Sequence, residues 1–140
     1  ASSYYIQTGT VTWQILAISL PSAFLVTAIL HCNNMRDIDE DQLEKKRSLA
    51  GTLGIKHSRL AYAYLVILSS LCLTLLVIVD TLPIWSLLGL LSLRWSAIAI
   101  RRLKNQYDRN ALNRIMIETS KANNFMGSSM AITIAIQSTV

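Results

Sequence analysis

Two long stretches of this chain contain almost no charge, and they limit the folds open to it. No Asp, Glu, Lys or Arg occurs from Ala1 to Cys32, and from Leu60 to Leu93 the only charged residue is Asp80. Apolar runs of this length are typical of helices that cross a lipid bilayer. Only 15% of the residues are charged, against about a quarter in an ordinary soluble domain. The sequence therefore predicts an integral membrane protein.

The apolar segments predict the fold class as well. They cover residues 11–32, 60–79, 82–100 and 119–140. The last segment is weaker because Asn123, Asn124 and Gln137 interrupt it. Pro21 is expected to kink the first helix. The side chain of Arg94, in the third segment, either extends to the membrane–water interface or faces the protein interior and binds an anion. The prediction is an all-α, polytopic transmembrane helical bundle, one domain over 1–140, with about three full spans and a partial fourth.

Positive charge is distributed unevenly between the segments that join the spans. Residues 33–59 hold six Lys or Arg and residues 101–121 hold six more, whereas 1–10 and 80–82 hold none. Positive residues beside spans stay on the cytoplasmic side, so the loops 33–59 and 101–118 are predicted to be cytoplasmic. This topological role accounts for a pI near 9.5. The partner it indicates is the lipid bilayer, with no nucleic acid.

The first of these loops concentrates acidic and amide side chains. Asn33, Asp37 and Asp41 recur at every fourth residue, a spacing that places side chains in one stripe of a helix. Neighbouring carboxylates repel one another, and a divalent cation relieves that repulsion. A small set of hard oxygen ligands suits Mg²⁺, which keeps waters and takes further ligands from substrate phosphates. The stripe is therefore a candidate magnesium site.

Three cations follow the acidic residues directly, at Lys45, Lys46 and Arg47. Metal and cations together suit a departing diphosphate, because they neutralise the charge that develops as its C–O bond breaks. Two simpler interpretations stay open: a solvated loop, and a purely topological role for the cations. An EF-hand calcium loop is excluded, because Gln42 stands where that loop requires Gly and Ser48 where it requires Glu.

Motif residues along most of the chain resemble one family of membrane enzymes. They are Tyr5-Ile6-Gln7, Trp13, Leu20-Pro21, Asn33-Asn34-Met35-Arg36-Asp37, Asp41, Lys46-Arg47-Ser48-Leu49-Ala50, Leu53-Gly54, Ala111-Leu112-Asn113, Thr119 and Gly127. On these residues the chain resembles the 1,4-dihydroxy-2-naphthoate polyprenyltransferases of the UbiA superfamily. That family has a bundle of about nine helices that cross the hydrocarbon core, with one Asp-rich motif in each half. The chain is similar to the second half.

The resemblance implies an activity and a set of site residues. The activity is Mg²⁺-dependent transfer of a polyprenyl group from its diphosphate to 1,4-dihydroxy-2-naphthoate, in the bacterial inner membrane. Asp37 and Asp41 would be catalytic and would bind metal together with Asn33. Substrate-binding roles would fall to Asn33, Asn34, Arg36, Lys46 and Arg47. The partner required is the N-terminal half of the same protein, since half an active site should not catalyse.

The chain departs from the family pattern at a few loop positions. Lys45 stands where the family has Gly, and Ser48 where it has Thr, which keeps the hydroxyl. Gly51 and Thr52 replace a common Val-Arg pair. Two alternatives to the dihydroxynaphthoate acceptor remain open. One is a superfamily enzyme with another acceptor, such as 4-hydroxybenzoate or homogentisate, and the other is a non-enzymatic membrane protein with an acidic ion site.

Overall fold

The regular structure of the described chain is helical throughout. The computed structural model describes residues 6, 9–43, 47–105 and 108–137. In chain order the elements are α1 (Trp13–Arg36), α2 (Ile38–Leu43), α3 (Leu49–Ile78), a 3-10 helix (Ile84–Ser92), α4 (Leu93–Asn105) and α5 (Arg109–Gln137). The predicted all-α class is confirmed.

Within the part of the chain that the structure describes, three stretches are long and apolar enough to cross a membrane: Trp13–Arg36, Leu49–Ile78 and Ile84–Asn105. Their outward faces carry large apolar side chains, such as Leu71 and Leu75, each 60% exposed, as expected of helices surrounded by lipid. The described part of the predicted fourth segment, 119–137, falls in α5, a helix of 29 residues that is more polar. Its polar residues are accommodated because α5 packs against α1, the 3-10 helix and α4.

The helices extend beyond the predicted spans into the segments 33–59 and 101–118. Within 33–59, α1 continues to Arg36, α2 forms a short helix and α3 begins at Leu49. The Ser48 hydroxyl caps α3 by accepting a hydrogen bond from the Gly51 backbone N–H at 3.2 Å, a standard N-terminal cap. Within 101–118, α4 continues to Asn105 and α5 begins at Arg109. Charges end an apolar span without ending its helix.

Contacts between the helices fix their directions. The His31 imidazole Nε2 lies 3.1 Å from the Ser58 carbonyl oxygen, and the Ser69 hydroxyl donates to the Pro21 carbonyl at 2.7 Å, so α1 and α3 are antiparallel. The Tyr62 hydroxyl is hydrogen-bonded to that of Thr119, which makes α3 and α5 neighbours. Hydrogen bonds from small hydroxyl side chains are a usual means of joining helices in membranes.

The 3-10 helix has a sequence period that matches its geometry. Ser86, Gly89 and Ser92 recur at every third residue and are all buried, whereas Leu88 and Leu91 are more than half exposed. A 3-10 helix has three residues per turn, so a period of three forms one continuous face. That face packs closely on α5: a Cβ on Gly89 would lie 2.9 Å from the Ser129 hydroxyl oxygen. A larger residue at position 89 would therefore force Ser129 to shift.

Candidate functional site

The candidate site is built at the junction between α1 and α2. Helix α1 ends at Arg36, yet the backbone hydrogen bonds continue: the Asp37 N–H donates to the Asn33 carbonyl at 3.1 Å, and the Asp41 N–H to the Asp37 carbonyl at 2.8 Å. This continuity preserves the spacing of a helical turn across the junction. The side chains of Asn33, Asp37 and Asp41 therefore start from successive turns.

Both oxygens of the Asp37 carboxylate are engaged. The Arg36 guanidinium donates through Nε to Oδ1 at 2.7 Å and through Nη2 to Oδ2 at 3.1 Å. The Asn33 amide nitrogen donates to Oδ2 at 3.2 Å. The hydrogen bond from Arg36 lowers the pKa of the Asp37 carboxyl group below its ordinary value, because it favours the ionised form. Asp37 is held as a carboxylate.

A residue distant in sequence completes this arrangement. The Arg36 Nη1 donates to the side-chain oxygen of Asn113, on α5, at 3.1 Å. We call Asn33, Arg36, Asp37 and Asn113 the Asp37 cluster. Asn113 belongs to the Ala111-Leu112-Asn113 motif, for which the sequence predicts no role. Its contact with Arg36 could not be found from local spacing, because the two residues belong to different helices.

An ion pair joins α2 to α5 beside the cluster. The Arg109 Nη1 lies 2.7 Å from the Glu40 Oε1, and the two side chains are 60% and 57% exposed. Exposed ion pairs contribute about 0–1 kcal/mol to stability. This contact therefore orients α2 over the end of α5 more than it stabilises the bundle.

The other predicted site residues are less closely associated. Asn34 and Asp41 are half-buried, and Arg47 is exposed just before the cap of α3. Lys45 and Lys46 lie outside the described residues. The structure thus brings together Asn33, Arg36 and Asp37 through side-chain contacts.

The donor set fits a magnesium ion that takes part of its coordination from substrate. Within the described ranges there is no group of three or more His, Cys, Asp or Glu side chains that could hold a metal. Asp37, Asp41 and Asn33 offer two carboxylates and an amide oxygen, which are hard ligand types. Mg²⁺ in enzymes commonly binds one or two carboxylates and completes its shell with waters and phosphates. Each carboxylate oxygen has a second lone pair for such contacts.

Two polar residues of the spans lie apart from this cluster. His31 is buried and its ring nitrogen is satisfied by the Ser58 carbonyl at 3.1 Å, which indicates a structural role. The Arg94 guanidinium carbon lies 5.6 Å from the centroid of the neighbouring Trp95 ring, within the range of a cation–π contact. The side chain of Arg94 is on the exposed surface of α4.

The helical bundle and its acidic, arginine-paired cluster define an integral membrane protein with a polar site at one end of the helices. A model of the UbiA prenyltransferase family matches residues 1–126. The match covers most of the chain, so the chain belongs to the UbiA prenyltransferase family.

Individual relatives agree with this assignment. The chain is 30% identical to the 1,4-dihydroxy-2-naphthoate octaprenyltransferase of Bacillus subtilis over 135 residues, which is 96% of the chain and 43% of the relative. It is 29% identical to the enzyme of the same name from Escherichia coli over 119 residues, 85% of the chain and 39% of the relative. It is 34% identical to the enzyme of the same name from Haemophilus influenzae over 70 residues, which is 50% of the chain and 23% of the relative.

The chain spans less than half the length of these curated relatives. No solved structure matches it.

Proposed function

We propose that the protein containing this chain is a prenyltransferase that transfers a polyprenyl group from its diphosphate to 1,4-dihydroxy-2-naphthoate, in menaquinone biosynthesis. The observation that carries the proposal is the ionised Asp37, held by Arg36 and Asn33 at the end of an apolar bundle. The names of the relatives support the acceptor. The chain would supply one of two Asp-rich motifs, and an N-terminal half of the same protein would supply the other.

The residues that would hold Mg²⁺ are Asp37 and Asp41, with Asn33 beside them. When bound, the ion would neutralise charge on the diphosphate as it departs. Arg36 would keep Asp37 ionised and oriented, because two of its donors engage the carboxylate. Asn34, Lys46 and Arg47 are proposed to contact the substrate.

The proposed chemistry is an electrophilic substitution on the ring. The allylic C–O bond of the polyprenyl diphosphate breaks, and the diphosphate leaves with the bonding electrons. The ring carbon that carries the carboxylate donates an electron pair to the allylic carbon, forming a C–C bond. The carboxylate then leaves as CO₂ and returns its bonding pair to the ring. The exposed apolar helix faces would keep the prenyl tail in contact with lipid.

The test uses the full-length protein that contains this chain, reconstituted in lipid with Mg²⁺. Asp37→Asn keeps the shape of the side chain and removes its charge. We expect kcat/KM for prenylation of dihydroxynaphthoate to fall by about 100-fold or more, the scale of losing one group that stabilises transition-state charge. Asp39→Asn is the matched control, since Asp39 is exposed and off the stripe.

Acceptor choice is measured in the same assay. Dihydroxynaphthoate is compared with 4-hydroxybenzoate and homogentisate, and the product is identified by its mass. Full activity of the Asp37→Asn variant would contradict the role of the cluster. Preference of the wild type for another acceptor would contradict the proposed substrate while leaving prenyl transfer in place.

A further inference from the structure

A polar face of α5 continues from the Asp37 cluster towards the middle of the bundle. Asn113, Ser120 and Asn124 recur at intervals of seven and four residues, so they share one side of the helix. Together with Lys121 they line an open cavity of about 560 Å³ on one face of α5, whose wall also includes Met116 and Ile117. Volumes of this size are typical of pockets that take small organic ligands.

The cavity begins at the site already described. Asn113 lines it and also accepts the hydrogen bond from Arg36. Lys121 follows Asn113 by eight residues, which corresponds to about 12 Å along an α-helix. The cavity therefore leads from the Asp37 cluster to Lys121.

Contacts between helices fix the depth of Lys121. Thr119 is hydrogen-bonded to Tyr62 of α3, and the thioether of Met126 lies 3.5 Å from the hydroxyl of Ser69, which donates to the Pro21 carbonyl. Lys121 lies between Thr119 and Met126 along α5. Its backbone is therefore level with the charge-free part of α1.

A charge at this depth has a high cost unless it has a partner or a polar cavity. The Lys121 Nζ donates to the Glu118 Oε1 at 3.2 Å, and the side chains are 53% and 18% exposed respectively. Ionisable residues inside membrane bundles generally face cavities and indicate substrate pathways. An ammonium group has three donors, and the described contact with Glu118 uses one of them.

We infer that Lys121 binds the carboxylate of the aromatic acceptor, with Ser120 and Asn124 hydrogen-bonding its other oxygens and Met116 and Ile117 contacting the ring. This inference rests on the proposed function. The diphosphate would bind beside Asp37, where Arg36 and Arg47 supply positive charge. An acceptor held by Lys121 lies further along the same open cavity of α5, so that the two substrates approach each other along it.

The experiment measures steady-state kinetics of the full-length protein and its Lys121→Met variant in lipid vesicles. Loss of an ionic hydrogen bond is expected to raise the KM for dihydroxynaphthoate about 10-fold to 100-fold, with the KM for prenyl diphosphate unchanged. The inhibition constant of 1,4-dihydroxynaphthalene, which has no carboxylate, should stay the same. Lys121→Arg should restore most of the acceptor affinity, because it restores the charge.

Lys104→Met is the matched control, because it removes a cation from the exposed end of α4. It should leave all three constants unchanged. Two results for the Lys121→Met variant would overturn the inference. One is an increase in the KM for prenyl diphosphate, and the other is an equal loss of affinity for dihydroxynaphthoate and for 1,4-dihydroxynaphthalene. An unchanged Lys121→Met variant would overturn it as well. If the wild-type protein does not prenylate dihydroxynaphthoate at all, the proposed function is wrong. Failure of the proposed function is therefore distinguishable from failure of the inference about Lys121.

Discussion

Arg36 is the residue on which the geometry of the candidate site depends. Its guanidinium engages both oxygens of Asp37 and also the side-chain oxygen of Asn113 on another helix. A planar guanidinium can make these contacts together, whereas the ammonium of lysine has no such fixed fork. Arg36 thus lowers the pKa of Asp37 and links Asp37 to α5.

Replacing Arg36 should change the titration of Asp37. Arg36→Gln removes the hydrogen bond that lowers the pKa of Asp37, so that pKa should rise towards its ordinary value. Because the pKa of Asp37 is lower in the folded state than in the unfolded state, its ionisation stabilises the fold at pH values above the unfolded-state pKa. That stabilisation is lost as the pH falls through the folded-state pKa. NMR titration of the labelled Asp37 carboxyl carbon in metal-free micelles measures the midpoint.

Arg114→Gln is the control for this titration, since it removes a neighbouring exposed cation without touching the Asp37 carboxylate. Its midpoint should match that of the wild type. Equal midpoints in the wild type and the Arg36→Gln variant would show that another group holds Asp37 ionised.

The spacing of local residues predicted part of the candidate site. The stripe interval of four residues placed Asn33 and Asp37 together, and their side chains are in contact. The partner of Arg36 was not predictable in this way, because Asn113 is 77 residues further along the chain. Contacts of that kind depend on how the bundle packs, which a single sequence does not specify.

At the scale of helices, apolarity located the spans but not the ends or the type of each helix. Lys56 and Arg59 marked the end of an apolar run, yet α3 continues through both, since lysine and arginine are good helix formers. The 3-10 helix was also missed. Its signal is the period of three in Ser86, Gly89 and Ser92, which apolar length does not reveal.

Helix α3 is two helical segments joined by a kink at Gly54. Gly54 has φ 72° and ψ 164° inside α3, a region that is essentially restricted to glycine. Gly54→Ala should destabilise the segment 49–58 by about 1–3 kcal/mol. The cost comes from the backbone, because an added Cβ meets nothing within 4 Å. Hydrogen exchange should show faster exchange in 49–58 than in the wild type.

Gly127→Ala is the matched control for that substitution. Gly127 lies within α5, and its added Cβ would be 3.7 Å from the Ser22 hydroxyl oxygen, an ordinary van der Waals contact. Alanine is favoured over glycine in a helix interior, so exchange in the bundle should be unchanged or slower. Unchanged exchange in the Gly54→Ala variant would contradict the argument from backbone strain.

At the scale of the whole molecule, both positively charged segments lie at the same end of the bundle. Glu40 of α2 pairs with Arg109 of α5 at 2.7 Å, and Arg36 contacts Asn113 nearby. The turn between α3 and the 3-10 helix is at the opposite end, because α1 and α3 are antiparallel. This arrangement agrees with the uneven distribution of Lys and Arg, which predicts that the Asp37 cluster faces the cytoplasm.

Cysteine labelling in intact bacterial cells tests that orientation. Cys32 and Cys72 are first replaced by alanine in the full-length protein, which leaves no thiol in this chain. A cysteine at Thr10 should react with a membrane-impermeant maleimide, because the segment before α1 carries no Lys or Arg. A cysteine at Lys104 should react only after the membrane is permeabilised, since it belongs to a cation-rich segment. The reverse pattern would place the Asp37 cluster outside and separate it from any cytoplasmic supply of prenyl diphosphate.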